Sequence, residues 1–110
     1  MKVSELAKIT NWQLFANSDS QEKEIKGVYV GDLLSWVMGH GQPEQAWITI
    51  QAHSNVIAVA TLKEFACLII CENSEVSTDF IKQAMLEDMP LFVSAQSAYE
   101  VCKTLIKLGI

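Results

Sequence analysis

The segment Ala66–Cys71 restricts the fold of this chain more than any other, because it is a continuous apolar run of strand length. Such runs are typical of a strand that helices cover on both faces. The chain has 110 residues, of which 50% are hydrophobic and 19% charged, so it can bury a core around a strand of this kind. We therefore predict one folded domain over residues 1–110.

Short strand-like runs alternate with helical patterns along the chain. Val56–Phe65 carries β-branched residues, but the spacing of its apolar residues favours a helix. The predicted strands are Trp12–Ala16, Ile25–Val30, Trp47–Ile50, Ala66–Cys71 and Leu91–Val93, and the predicted helices are Ser4–Thr10, Leu33–Val37, Val56–Phe65, Thr78–Glu87 and one that begins at Ser97. Strands joined by helices predict an α/β fold that is three-layer-like, with a mainly parallel sheet and helices on both faces.

Three polar residues stand where helices are expected to begin. Ser4 and Asp32 are candidate N-caps, and Ser97 with Glu100 matches the capping-box pattern. A side chain in this position accepts a hydrogen bond from a backbone N–H that the first helical turn leaves free.

The charge and hydropathy of the chain exclude two classes of partner. The net charge is −5 and the chain contains no arginine, so no basic surface is expected to bind nucleic acid. The apolar runs are too short to span a membrane. Met1–Glu5 has no hydrophobic signal region, and the odd number of cysteines argues against a disulfide framework, so we expect a cytoplasmic protein.

Polar residues follow the predicted strands, at the points where an open parallel sheet binds its ligands. Since the carboxyl ends of parallel strands share one edge, we expect these side chains to form a cradle for a nucleotide or a phosphorylated metabolite. The candidate ligand-binding residues are Gly31, Asp32, Gln51, His53, Asn55 and Ser94.

Each of these residues also has a simpler explanation. His53 is suited to donate to a phosphate or to form an acid–base pair with Asp32, but a loop histidine can equally bond to a nearby carbonyl group. Asp32 can serve only as a helix cap, and Gly31 can be required only by the backbone. Phosphate-binding loops, a serine nucleophile elbow and clusters of metal ligands are absent from the sequence, which predicts no enzyme activity, no cofactor and no metal.

Three blocks of the sequence resemble DRTGG domains. They are Gly27–Met38, Ala46–Ala60 and the ending Met89–Phe92 with Ser97–Glu100. The resemblance around these blocks covers nearly the whole chain. The family's Asp-Arg-Thr-Gly-Gly motif would align with residues 22–27, where only Gly27 matches. The resemblance implies an α/β domain related to the N-terminal domains of HPr kinase and of some Mur ligases.

The resemblance also implies a function. DRTGG domains occur within phosphotransacetylases and beside CBS domains in regulatory pyrophosphatases, where they are regulatory, structural or dimer-forming. We therefore expect a non-catalytic regulatory or accessory module that binds a small ligand and forms a homodimer. The alternative is a pure protein–protein interaction module for a partner enzyme, such as a hydrogenase or a serine-kinase-like protein, with no small-molecule ligand.

Overall fold

The computed structural model describes residues 1–110. Five strands and five α-helices are present, and the helix predicted over Val56–Phe65 is confirmed. In chain order the elements are α1 (Val3–Thr10), β1 (Gln13–Phe15), a 3₁₀ turn (Ser20–Glu22), β2 (Gly27–Val30), α2 (Leu34–His40), β3 (Gln45–Thr49), α3 (Ser54–Leu62), β4 (Cys67–Ile70), α4 (Thr78–Leu86), β5 (Leu91–Val93) and α5 (Ala98–Lys107).

The strands form one sheet in the order β1-β5-β4-β3-β2. β2, β3, β4 and β5 are parallel to their neighbours, and only β1 is antiparallel, pairing with β5 at one edge. The prediction of a mainly parallel sheet is therefore confirmed. β4 is the central strand, and all of its residues are buried. This position accounts for the continuous apolar run, since both faces of β4 are covered by helices.

Helices cover both faces of the sheet, as predicted. α1 and α5 pack on one face, where Leu6 and Leu105 belong to the same core cluster as Ile69 and Phe92. α2, α3 and α4 pack on the other face, around Trp47 and its neighbours in a second cluster. Alternate residues of each strand enter the two clusters, as the period of two along a strand requires. None of the helices is long and apolar enough to cross a membrane.

The N-cap predicted at Ser97 is confirmed, but the Glu100 half of the predicted capping box does not form, and a second serine begins α4 with the same single bond. The Ser97 side chain accepts from the backbone N–H of Glu100 at 3.2 Å, and the Ser77 side chain accepts from that of Phe80 at 3.1 Å. Each hydroxyl satisfies one of the backbone donors that a helix leaves free at its beginning.

The two other predicted caps are wrong. α1 begins two residues earlier than Ser4 suggests, with Lys2 as its N-cap, and the backbone N–H of Lys2 donates to Glu5 Oε1 at 2.9 Å. α2 follows Leu33, which makes no side-chain cap bond, so Asp32 does not cap this helix. The reason is tertiary: the Asp32 carboxylate binds groups at the end of β3 instead.

Candidate functional site

The candidate site lies at the rim of the sheet where the parallel strands end. Asp32 follows β2, Gln51 and His53 follow β3, and Ser94 follows β5. Because β3 and β4 separate β2 from β5, and neighbouring strands lie about 4.8 Å apart, Asp32 and Ser94 are separated by about 14 Å. Asp32, Gln51, His53 and Ser94 therefore lie along the same rim of the sheet, but Ser94 is two strands beyond the end of β3 and far from Asp32.

Asp32 ties the ends of two strands together. Its Oδ1 accepts from the Thr49 hydroxyl at 2.7 Å and from the backbone N–H of Ile50 at 2.9 Å. The same Thr49 Oγ1 accepts from the backbone N–H of Gln51 at 3.2 Å. Since a charged acceptor makes shorter and stronger hydrogen bonds than a neutral one, this carboxylate holds the loop after β3 in place.

Gln51 links Asp32 to His53. Gln51 Nε2 donates to the backbone carbonyl of Asp32 at 3.2 Å, so its Oε1 faces His53 Nε2, 3.1 Å away. An amide oxygen only accepts, so this contact is a hydrogen bond in the tautomer that carries a hydrogen on Nε2, and Nδ1 has no bonding partner in the protein. Asp32 and His53 are not hydrogen-bonded to each other, because the Gln51 side chain lies between them.

The remaining predicted residues have different surroundings. Gly31 uses both backbone groups within the fold: its carbonyl accepts from Trp47 Nε1 at 2.9 Å, and its N–H donates to Ile48 at 3.2 Å. Ser94 is buried, and its hydroxyl accepts from the backbone N–H of Gln96 at 3.1 Å. Asn55 is exposed in the first turn of α3 and its side chain bonds to nothing.

A hollow of about 100 Å³ opens beside His53, between the beginnings of α3 and α4. Ala52 and Ser54 line it from one side, and Ser77 and Asp79 from the other. Binding sites for drug-sized molecules are usually about 300–1,000 Å³. This hollow is smaller, so it has room only for a single phosphate-sized group. The rest of a nucleotide would have to lie along the open rim.

The rim of one chain carries negative charge. The loops that follow β2, β3, β4 and β5 contain no lysine, but they contain Asp32, Glu72 and Glu75. Cys71 lies at the same rim and donates to the carbonyl of Thr49 at 3.6 Å. Burial raises the pKa of the Cys71 thiol, and the nearby Asp32 carboxylate raises it further. The thiol is therefore a protonated packing group here and is poorly suited to act as a nucleophile.

A larger cavity of about 350 Å³ lies at the opposite end of the sheet, where the strands begin. Lys23 is its only basic lining residue, and the acidic side chains around it include Glu44, Glu64 and Glu87. Burial lowers the pKa of Lys23, whose ammonium donates to the backbone carbonyl of Asp88 at 2.8 Å. This surplus of carboxylates disfavours an anionic ligand at this end of the sheet.

The sequence did not single out Thr49 or Ser74, which complete the site. Thr49 is 1% exposed and binds Asp32, while the Ser74 hydroxyl donates to the carbonyl of Ile50 at 3.0 Å. One signal for Thr49 was available. A threonine at the end of the apolar strand Trp47–Ile50 is buried with the strand, and its hydroxyl then needs a partner.

Comparison with known proteins adds evidence on the fold. No family model matches the sequence, and a search of curated proteins finds no significant relative. A structural match is the crystal structure of the CBS and DRTGG domains from the regulatory region of Clostridium perfringens pyrophosphatase, complexed with the activator diadenosine tetraphosphate. The TM-score is 0.74 at 10% sequence identity, and the match covers 93% of this chain and 44% of that structure.

The chain has a DRTGG-like α/β fold. The evidence is the TM-score together with coverage of nearly the whole chain, because 10% identity is too low to establish a family. The chain spans less than half of the matched structure, so the DRTGG-like fold corresponds to one part of a larger regulatory region.

Proposed function

We propose that this chain is a non-catalytic regulatory or accessory module that binds a nucleotide or a phosphorylated metabolite at the rim and self-associates. The observation that carries the proposal is the chain of hydrogen bonds from Asp32 through Gln51 to His53. It fixes the histidine ring at the beginning of α3 and leaves Nδ1 available to a ligand. A protonated His53 would donate from Nδ1 to a phosphate beside the free N–H groups of α3.

The fold likeness supports a regulatory function. The matched pyrophosphatase region is described as regulatory, and its structure contains a nucleotide activator. In the present chain the Asp32 carboxylate is already held by Thr49 and Ile50, and Gln51 separates it from His53. Such an arrangement positions a binding loop and offers no paired acid and base. A cytoplasmic location also belongs to this proposal and agrees with three free cysteines.

Ligand binding can be tested by thermal shift and calorimetry with inorganic phosphate, ATP and diadenosine tetraphosphate. A ligand at 100 times its dissociation constant stabilises the folded state by about 2.7 kcal/mol, which raises the melting temperature measurably. His53→Ala should abolish the shift. His40→Ala is the matched control, because His40 lies at the end of α2 and stacks on Trp36. No shift with any of these probes would contradict ligand binding.

The second candidate is a pure interaction module that binds a partner enzyme, such as a hydrogenase or a serine-kinase-like protein, without a small ligand. Exposed apolar side chains favour it: Leu33 is 64% and Trp36 59% exposed. In that case Trp36→Glu should abolish capture of the partner, while His53→Ala should not affect it. Capture that is lost with His53→Ala, or that depends on a nucleotide, would contradict this candidate.

A further inference from the structure

The edge strand β2 and its flanking residues read almost the same in both directions. The sequence from Lys26 to Asp32 is Lys-Gly-Val-Tyr-Val-Gly-Asp, which is symmetric about Tyr29 except that its two ends carry opposite charges. An antiparallel pair of such segments, related by a two-fold axis through Tyr29, places Val28 opposite Val30, Gly27 opposite Gly31 and Lys26 opposite Asp32.

β2 is an outermost strand of the sheet and has no partner on its outer side. The backbone N–H of Gly31 points inward, to the carbonyl of Ile48. Because backbone groups alternate in direction along a strand, the N–H and C=O groups of Val28 and Val30 point outward. These are the two residues that the two-fold axis places opposite each other, so the register given by the sequence symmetry is also the register in which backbone hydrogen bonds form.

We propose that two copies of this chain pair through β2 in this antiparallel register and form one continuous sheet. The inference rests on the self-association part of the proposed function and names its surface. The charges at the ends are complementary, and Asp32 Oδ2 makes no hydrogen bond within the chain, whereas Oδ1 is held by Thr49 and Ile50. Lys26 makes only an exposed ion pair with Glu44 at 3.1 Å, and Asp32 is exposed.

Side chains next to the edge suit a second copy. Tyr29 packs with the core cluster on the face that α2, α3 and α4 cover, and the pairing sets it beside Tyr29 of the second copy. Leu33 and Trp36 follow β2 and are 64% and 59% exposed. They belong to the helical layer that covers the same face of the sheet as Tyr29. They add apolar area beyond that of the short strand.

The pairing has a consequence for the candidate site. Lys26 lies at the beginning of β2, far from the rim of its own chain, but the two-fold axis brings Lys26 of the second copy beside Asp32. The loops at the rim contain no lysine of their own. The dimer therefore brings a lysine to this rim and offsets the charge of Asp32, so the site is composite, a phosphate is repelled less, and ligand binding favours the dimer.

Cysteine cross-linking tests the register. In a Cys102→Ser background, Tyr29→Cys should form a disulfide-linked dimer under mild oxidation. Directly opposed residues of a non-hydrogen-bonded pair have Cα atoms about 4.5 Å apart, within the range of about 4.4–6.8 Å that disulfides span. Gln13→Cys, on the edge strand β1 at the other side of the sheet, is the matched control and should stay unlinked.

Sedimentation equilibrium tests the association itself. Val30→Pro removes an outward N–H and should abolish the dimer, and Lys26→Glu should weaken it about tenfold, because the two-fold axis repeats the repulsion with Asp32. Thermal melts show whether each variant is folded. If Val30→Pro is unfolded, cross-linking of Tyr29→Cys and sedimentation of Lys26→Glu test whether the dimer forms through β2.

The outcomes separate the inference from the proposed function. A dimer that persists in Lys26→Glu and does not cross-link through Tyr29→Cys overturns pairing through β2, while self-association stands. A wild-type chain that is monomeric at all concentrations, with and without ATP, overturns both. Cross-linking at position 29 with a weakened dimer in Lys26→Glu supports the inference, whether or not the nucleotide probes bind.

Discussion

The carboxylate of Asp32 and the hydroxyl of Thr49 lie 2.7 Å apart and join the loop after β2 to the end of β3. The hydroxyl belongs to a residue that is 1% exposed, so the bond satisfies a buried polar group. It also places the loop that carries Gln51 and His53. The stability of the domain and the geometry of its candidate site therefore depend on the same contact.

We expect Asp32→Ala to lower the free energy of unfolding by about 1–3 kcal/mol, because it leaves the buried Thr49 hydroxyl and the Ile50 N–H without their acceptor. Urea unfolding measures the change. Thr49→Val should be less harmful in the Asp32→Ala background than in the wild type, by about 0.5 kcal/mol or more. Asn55→Ala is the control and should change stability by less than about 0.5 kcal/mol. Strictly additive effects of the two substitutions would contradict the contact.

The helix caps give a second prediction. Ser77→Ala and Ser97→Ala should each lower the free energy of unfolding by about 1 kcal/mol, since each hydroxyl accepts from a free N–H of the first helical turn. Ser4→Ala is the matched control, because Ser4 lies inside α1 and Lys2 is the N-cap. Its effect in the same urea titration should be within about 0.5 kcal/mol. An equal loss in all three variants would contradict these helix beginnings.

Two glycines near the end of α2 should respond oppositely to alanine. A Cβ at Gly41 would overlap the Phe65 ring, with only 2.8 Å to Cε1, and Phe65 is 1% exposed. Gly41→Ala should therefore destabilise the domain by about 1–3 kcal/mol. A Cβ at Gly39 meets nothing within 4 Å, and this glycine lies inside a helix. Gly39→Ala should thus stabilise by roughly 0.5–1 kcal/mol. Thermal melts that rank the two variants in the reverse order would refute this packing.

Alkaline pH should destabilise the domain through Cys67. Burial raises the pKa of this thiol from 9.0 to about 12. The folded state therefore holds the proton more tightly than the unfolded state does. Its contribution to stability is complete below pH 9 and is lost as the pH rises from 9 towards 12, by up to about 1.4 kcal/mol per pH unit. Urea unfolding from pH 7 to pH 10.5 should show a steeper decline for the wild type than for Cys67→Ala. Parallel declines would contradict the prediction.

Thiol labelling gives an independent measurement of the same burial. Cys102 is partly exposed, whereas Cys67 and Cys71 are buried. At neutral pH a thiol reagent should label Cys102 first, because it alone is accessible without opening of the fold. Labelling of Cys67 should follow the rate of unfolding in urea. Rapid labelling of all three cysteines in the native protein would contradict the structure.

Local patterns in the sequence determined the elements of the fold. The run Ala66–Cys71 is buried on both faces because β4 is the central strand, and the spacing of apolar residues in Val56–Phe65 gave a helix. Ser97 caps a helix because its hydroxyl reaches a backbone N–H three residues away. Contacts of this kind join close neighbours in the chain, so the sequence is enough to predict them.

Tertiary structure decided what the polar residues do. Asp32 is a residue type that often caps helices, and it stands just before α2. It binds Thr49 and Ile50 instead, which are distant in the chain and adjacent in the sheet. Likewise, only the strand order shows that Ser94 is far from Asp32 and that β2 is at an edge. A polar side chain takes whichever partner the folded chain brings nearest, and burial makes that choice energetically costly to change. The sequence therefore determined the α/β layers, and the packing of the strands determined the site.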